Sequence, residues 1–223
     1  MAHQRHPDLH GNAPDKSAVA LLLIDVINDF EFDESAEALF VYALPAARRI
    51  AELKRRAHDA GIPVIFVNDN FGKWRSDFRS LVSHCIDDET RGRPIAELLK
   101  PKQSGFYSTT LDLLLQHLGA RTLIVTGFSG DICVLLTAGD AHLRDYHLLI
   151  PRDCVASRDE RENERVLQYM ERVFEADIAL SSEIDFAAWK DKSIPDSPGD
   201  GISISAKDVD CNSPAPRAGV TGP

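Results

Sequence analysis

The 223-residue sequence is short of closely spaced cysteines. Its four, Cys85, Cys133, Cys154 and Cys211, stand far apart without a CxxC pair. That spacing offers no disulfide framework and suits a reducing compartment. Basic charge is also scarce. Lys and Arg number 25 against 35 Asp and Glu, a formal net charge of −10. This argues against a broad basic face for nucleic acid or an anionic membrane. No apolar run approaches the roughly 20 residues that cross a bilayer. The opening MAHQRHPDLHGNAPDKSA lacks the apolar core of a signal peptide. The expectation from these absences is a cytoplasmic protein with no nucleic-acid and no membrane partner.

What is present reads as an ordinary globule, 43% hydrophobic and 27% charged. The length suits one well-filled α/β domain. Residues 1–17 are polar, with His3, His6 and His10, and read as an unstructured leader. Residues 191–223 are rich in Pro, Gly and Ser and read as a disordered tail. The domain is expected over 18–190.

Within it, VALLLI before Asp25 and RTLIV before Gly127 read as strands buried on both faces. Val64–Val67, running into Asn68 and Asp69, is a further strand, and so is His147–Ile150. Asp177–Leu180 is expected as a short last one. Pro45–Ala60 has helical spacing through Leu44, Ala47, Ile50, Leu53 and Ala57, with Pro45 in the first turn and Gly61 at the stop. Arg91–Leu99 suggests a short helix before Lys100. Leu111, Leu114, Leu115 and Leu118 mark another. A helix from Cys133 is expected to run to about Tyr146. Ser157 to Glu160 fits a capping box, opening a helix with Val166, Met170 and Val173 inward. Strands alternating with helices imply a parallel sheet covered on both faces.

Chemistry concentrates at VTGFSGDICVLLTA. Gly127 and Gly130 permit a tight turn, Asp131 is a candidate helix N-cap, and Cys133 falls in the first helical turn. There the unpaired N–H groups and the dipole favour a thiolate. Asp25 follows one strand and Lys100 precedes a turn. A carboxylate can move a proton to or from a thiol, an ammonium stabilises both anions, and N–H groups of a glycine turn can hold an oxyanion. Together these suit acyl transfer through a thioester. An inert core cysteine, a surface turn for Asp25 and a solvated Lys100 are the bland alternatives.

The stretches LLLIDVINDF, KPKQSGFYSTTLDLLL and TGFSGDICVLLTAGDA, in that order, resemble the isochorismatase-like cysteine hydrolases. That superfamily includes nicotinamidases, N-carbamoylsarcosine amidohydrolases and ureidoacrylate amidohydrolases. The resemblance spans roughly Val19 to Leu180. It implies a three-layer α/β/α, Rossmann-like fold with a mainly parallel sheet of five or six strands. It also implies an Asp25–Lys100–Cys133 triad, a cis peptide at Phe128–Ser129, and an oxyanion hole from the N–H groups of Ser129 and Cys133. The implied partner is a small-molecule substrate, in a homo-oligomer, with no cofactor.

Three departures stand out. The approach to Lys100 is ELL, without the usual apolar strand, so Lys102 is the second choice for the lysine. Asp69 is present, but the paired histidines of the nicotinamidase metal site are missing and His84 stands alone, so no metal is expected. The turn reads Phe128–Ser129–Gly130 where aliphatic–Ala–Thr is commoner. Phe30, Asn70, Trp74 and Arg75 are candidate substrate contacts. The reaction expected is hydrolysis of a C–N bond in a small amide, carbamoyl or ureido compound. Vinyl-ether hydrolysis of isochorismate and a catalytically inactive scaffold are the alternatives.

Overall fold

A computed structural model describes residues 16–27, 35–69, 96–100 and 102–191, all within one compact unit. Residues 1–15 of the expected leader 1–17 and 192–223 of the expected tail 191–223, together with Phe30, Asn70, Trp74, Arg75 and His84, lie outside the described residues.

Two apolar runs form the middle of the sheet. Strand β1, Val19–Ile24, is buried at all six positions, and β4, Thr122–Phe128, at all seven. Side chains of a strand alternate between faces, so a run this apolar fits only a strand covered on both sides. β1 pairs in parallel with β4 and with β2, Val64–Asp69. β5, His147–Leu149, lies outside β4, and β3, Ala96–Lys100, outside β2. The order is β3-β2-β1-β4-β5, with β6, Val155–Ala156, pairing the far end of β4.

Helix α1, Ser35–Asp59, covers one face through Leu39, Ala43, Ala46, Ile50, Leu53 and Ala57. Those positions recur every three or four residues, one stripe of a helix. Helices α2, Leu111–Leu118, α3, Leu135–His142, and α4, Glu160–Phe174, cover the other. A short α5, Phe186–Asp191, follows, with Phe186 packed on the α1 side. Each fully buried Leu or Ile contributes about 1.5–3 kcal/mol.

Several expected elements differ. Helix α1 begins ten residues before Pro45, which sits inside it. Pro45 is on the exposed side, where the carbonyl of Val41 that its missing N–H leaves unbonded lies on a residue open to water. The buried face is therefore Ala43 and Ala46, and Leu44 is exposed. The segment before Lys100 is not a helix but strand β3, because pairing with β2 decides its conformation. α3 ends at His142 rather than Tyr146. α4 is capped by Asp159, whose carboxylate accepts from the Glu162 N–H at 2.9 Å; Ser157 is buried and committed elsewhere. Val166 and Met170 face inward, whereas Val173 is 40% exposed. Around Asp177 there is a single parallel bridge to Leu149 rather than a strand. The two-residue β6 was too short to show in the pattern.

Candidate active site

Four adjacent strands end on one edge, and each ends in a functional group. β3 ends in Lys100 and β2 in Asp69, which are register partners. β1 hands over to Asp25, and β4 runs into the turn that carries Cys133. In open parallel sheets this carboxyl edge is where sites form.

Asp25 turns off the strand with φ of +52°, a left-handed conformation that Asp tolerates better than most residues. Its Oδ1 accepts the Asp69 backbone N–H at 2.7 Å. Its Oδ2 lies 2.9 Å from Lys100 Nζ. The same ammonium is 3.6 Å from Cys133 Sγ and 3.9 Å from Asp69 Oδ2. The Lys100 side chain is fully buried, and Lys102 is exposed. A buried ammonium is costly unless paired. Here it is ringed by two carboxylates and a sulfur.

The approach to Cys133 needs both glycines, although Gly127, expected in the turn, lies within β4 and only Gly130 is in the turn. Gly127 has φ of +120°, and a Cβ there would stand 2.0 Å from the Ile24 carbonyl oxygen. β4 can approach β1 this closely only without a side chain. The Phe128–Ser129 peptide is cis. Gly130–Val134 then forms a π-type turn, in which the Val134 N–H reaches Ser129 O at 3.1 Å, before α3 begins. Ser129, not Asp131, stands at the cap position, and its hydroxyl donates to the Asp131 carboxylate.

Burial pushes the Cys133 thiol up to about 12; the Asp25 carboxylate adds to the rise and Lys100 opposes it. Burial and the neighbouring carboxylate thus favour the thiol over the thiolate expected from a helix start, and the ammonium opposes them. Burial also raises Asp25, although Lys100 pulls it down. Burial lowers Lys100, but Asp25, Cys133 and Asp69 together carry it above its ordinary value. A buried carboxylate held against a neutral thiol is arranged to take its proton.

A model of the isochorismatase domain matches residues 19–181. The chain belongs to the isochorismatase family. An uncharacterised isochorismatase family protein of Bacillus subtilis strain 168 is 39% identical over 177 residues, 76% of this chain and 97% of that protein. The crystal structure of N-carbamoylsarcosine amidase from Thermoplasma acidophilum is 29% identical, with a TM-score of 0.59 over 75% of this chain and 98% of that one. A ureidoacrylate amidohydrolase of Methylorubrum extorquens is 43% identical over 56 residues, 25% of this chain and 23% of that protein. This isochorismatase-family hydrolase has the parallel-sheet α/β fold of its structural relatives.

Asp69 was not read from the sequence as a neighbour of the lysine. The signal was available: like Asp25, it closes an apolar parallel strand at the edge where sites form. Among the described residues no cluster of three His, Cys, Asp or Glu could hold a metal ion. No described helix is long and apolar enough to cross a membrane.

Proposed function

We propose that this protein hydrolyses a C–N bond of a small amide, carbamoyl or ureido compound through a thioester on Cys133. The observation that carries the reading is one ammonium, Lys100 Nζ, within 2.9 Å of Asp25 and 3.6 Å of Cys133 Sγ. Its relatives include an amidase and an amidohydrolase. Cys133 Sγ attacks the carbonyl carbon while Asp25 takes the thiol proton. The backbone N–H groups of Ser129 and Cys133 hold the oxyanion. The C–N bond breaks, and Asp25 returns the proton to the departing nitrogen. Water then attacks the thioester, giving one proton to Asp25, and the thiol is restored from it. Lys100 keeps Asp25 ionised and in place between these steps.

The same reading takes the enzyme as a cytoplasmic homo-oligomer acting on a small molecule without a cofactor. The scaffold alternative leans on a defective approach to Lys100, and strand β3, which ends in Lys100, supports the enzyme reading instead. The test is ammonia release from a panel of amides, carbamoyl compounds and ureas, with rapid-quench mass spectrometry of the Cys133 peptide. An acyl adduct on that peptide during turnover supports the reading. Turnover by Cys133→Ala at the wild-type rate overturns it.

A further inference from the structure

Gly130, at the start of the turn that carries Cys133, leans on an adjoining element. A Cβ there would meet Asn163 Oδ1 at 2.5 Å, Val155 Cγ1 at 2.7 Å and Ser157 Oγ at 2.8 Å. Ser157 follows β6 and is 1% exposed; Asn163 lies in the first turns of α4. Their hydrogen bonds form a chain with a single direction. The Asp131 backbone N–H donates to Ser157 Oγ at 3.1 Å. The Ser157 hydroxyl donates to Asn163 Oδ1 at 2.8 Å, and Asn163 Nδ2 donates to the Val155 carbonyl at 3.2 Å. At the turn itself, the Ser129 hydroxyl closes onto the Asp131 carboxylate. A serine hydroxyl that must donate to the amide oxygen is left only lone pairs for the Asp131 N–H, so no other arrangement satisfies all members.

We infer that Ser157 and Asn163 are positioning residues for Cys133: they clamp the Gly130–Asp131 peptide from outside and so set where the nucleophile and the Ser129 and Cys133 N–H groups stand. The inference rests on the covalent role given above to Cys133. Neither side chain is placed among the groups that touch substrate. Their effect runs through the backbone of a five-residue turn whose start has no room for a side chain. Small displacements of reacting groups cost rate rather than binding.

The test compares Ser157→Ala and Asn163→Ala with Val166→Ala. Val166 is buried on the same helix α4 but takes no part in the chain. Four quantities are read on the full-length protein: Tm, kcat and KM on the best amide substrate, and hydrogen exchange of the peptide spanning Ser129–Val134. Both alanine variants are expected to lose about 10- to 100-fold in kcat with little change in KM, and to exchange faster at the turn. Val166→Ala is expected to lower Tm as much or more, yet keep kcat and the turn's protection. A kcat that merely follows Tm across all three variants overturns the inference. If the wild type turns over nothing in the panel, the covalent reading fails separately, and exchange alone decides here: an unchanged turn in both variants overturns the clamp, and faster exchange confined to them supports it.

Discussion

Replacing Lys100 by Met removes the charge and keeps most of the volume, so its consequences can be worked from two distances. At 3.6 Å from Sγ, an ammonium attracts a thiolate by about 5 kcal/mol at an effective dielectric of about 20, equal to roughly 3–4 pK units. The net effect is smaller. Asp25, at 2.9 Å from the same nitrogen, loses its partner too, protonates more readily, and stops opposing the thiolate. Cys133 alkylation by iodoacetamide at a fixed pH near 8.5 should therefore slow by about 10- to 100-fold, not by the full amount. Turnover should nearly vanish, because a protonated Asp25 cannot act as base.

Stability supplies an independent reading. Removing one member of a buried ion pair costs about 3–5 kcal/mol, or about 6–20 °C in Tm for a domain of this size. The cost depends on pH with a definite sign. Asp25 is already raised by burial, and the variant raises it further. A carboxyl raised in the folded state is stabilising while protonated, and that contribution is lost as pH rises through its folded value. Tm of Lys100→Met should thus fall more steeply than that of the wild type as pH rises above 3.8, the ordinary carboxyl value. Adding Asp25→Asn, which removes the stranded charge, should restore part of the loss at neutral pH. Lys102→Met should change nothing measured. A wild-type Tm at every pH together with a wild-type alkylation rate in Lys100→Met would refute this role for the ammonium. A slowed alkylation in Lys102→Met alone would transfer the role to Lys102.

Cys133→Ala and Cys133→Ser should both keep wild-type Tm within a few degrees and lose turnover, since a serine hydroxyl is a far weaker acid than a thiol under the same base; retained activity in the Ala variant, measured by ammonia release, would remove covalent catalysis. The rate kcat/KM should rise with pH through an Asp25 step above 3.8 and stay level through pH 9, because the thiol itself lies at about 12. In Asp25→Asn the residual rate should instead climb about tenfold per pH unit across that range, and a flat residual profile would show that the base lies elsewhere. EDTA should leave activity unchanged, and loss restored by zinc or manganese would reveal ligands outside the described residues. Gly127→Ala should fail to give folded protein, given a Cβ 2.0 Å from the Ile24 carbonyl at φ +120°. Gly119→Ala, left-handed but unobstructed, should fold with a loss of about 1–2 kcal/mol in denaturant melts.

How much could be read in advance follows the reach of the forces involved. Val19–Ile24 and the first part of β4, as far as Val125, were legible because burial on both faces writes itself into every residue of the run, whereas the continuation of β4 through Gly127 to Phe128 was read as a turn. Ala96–Lys100 was not. Five residues including Glu97 carry too little pattern to choose a period, and the choice is made by backbone pairing to β2, some thirty residues away in sequence. The same holds for Pro45, where a strong local rule for helix starts lost to a stripe of Leu39, Ala43 and Ala46 that continues upstream. A local motif assigns Ser157 to a cap. The structure uses its hydroxyl on Asp131 and Asn163, contacts that no local spacing encodes.

The identities of Asp25, Lys100 and Cys133 as site candidates were legible, but their electrostatic state was not. A cysteine near a helix start, beside a lysine, reads locally as an activated thiolate. Two facts of packing reverse that reading. Burial of the thiol raises it first, and Asp25, brought within hydrogen-bond reach by the β1–β4 register, raises it again. The ammonium that should have lowered it is shared among three partners at 2.9, 3.6 and 3.9 Å. In the proposed mechanism Lys100 therefore serves mainly to keep the Asp25 carboxylate charged, and the Cys133 proton passes to Asp25. That assignment makes the acid limb of the rate profile, not an alkaline one, the signature of this site.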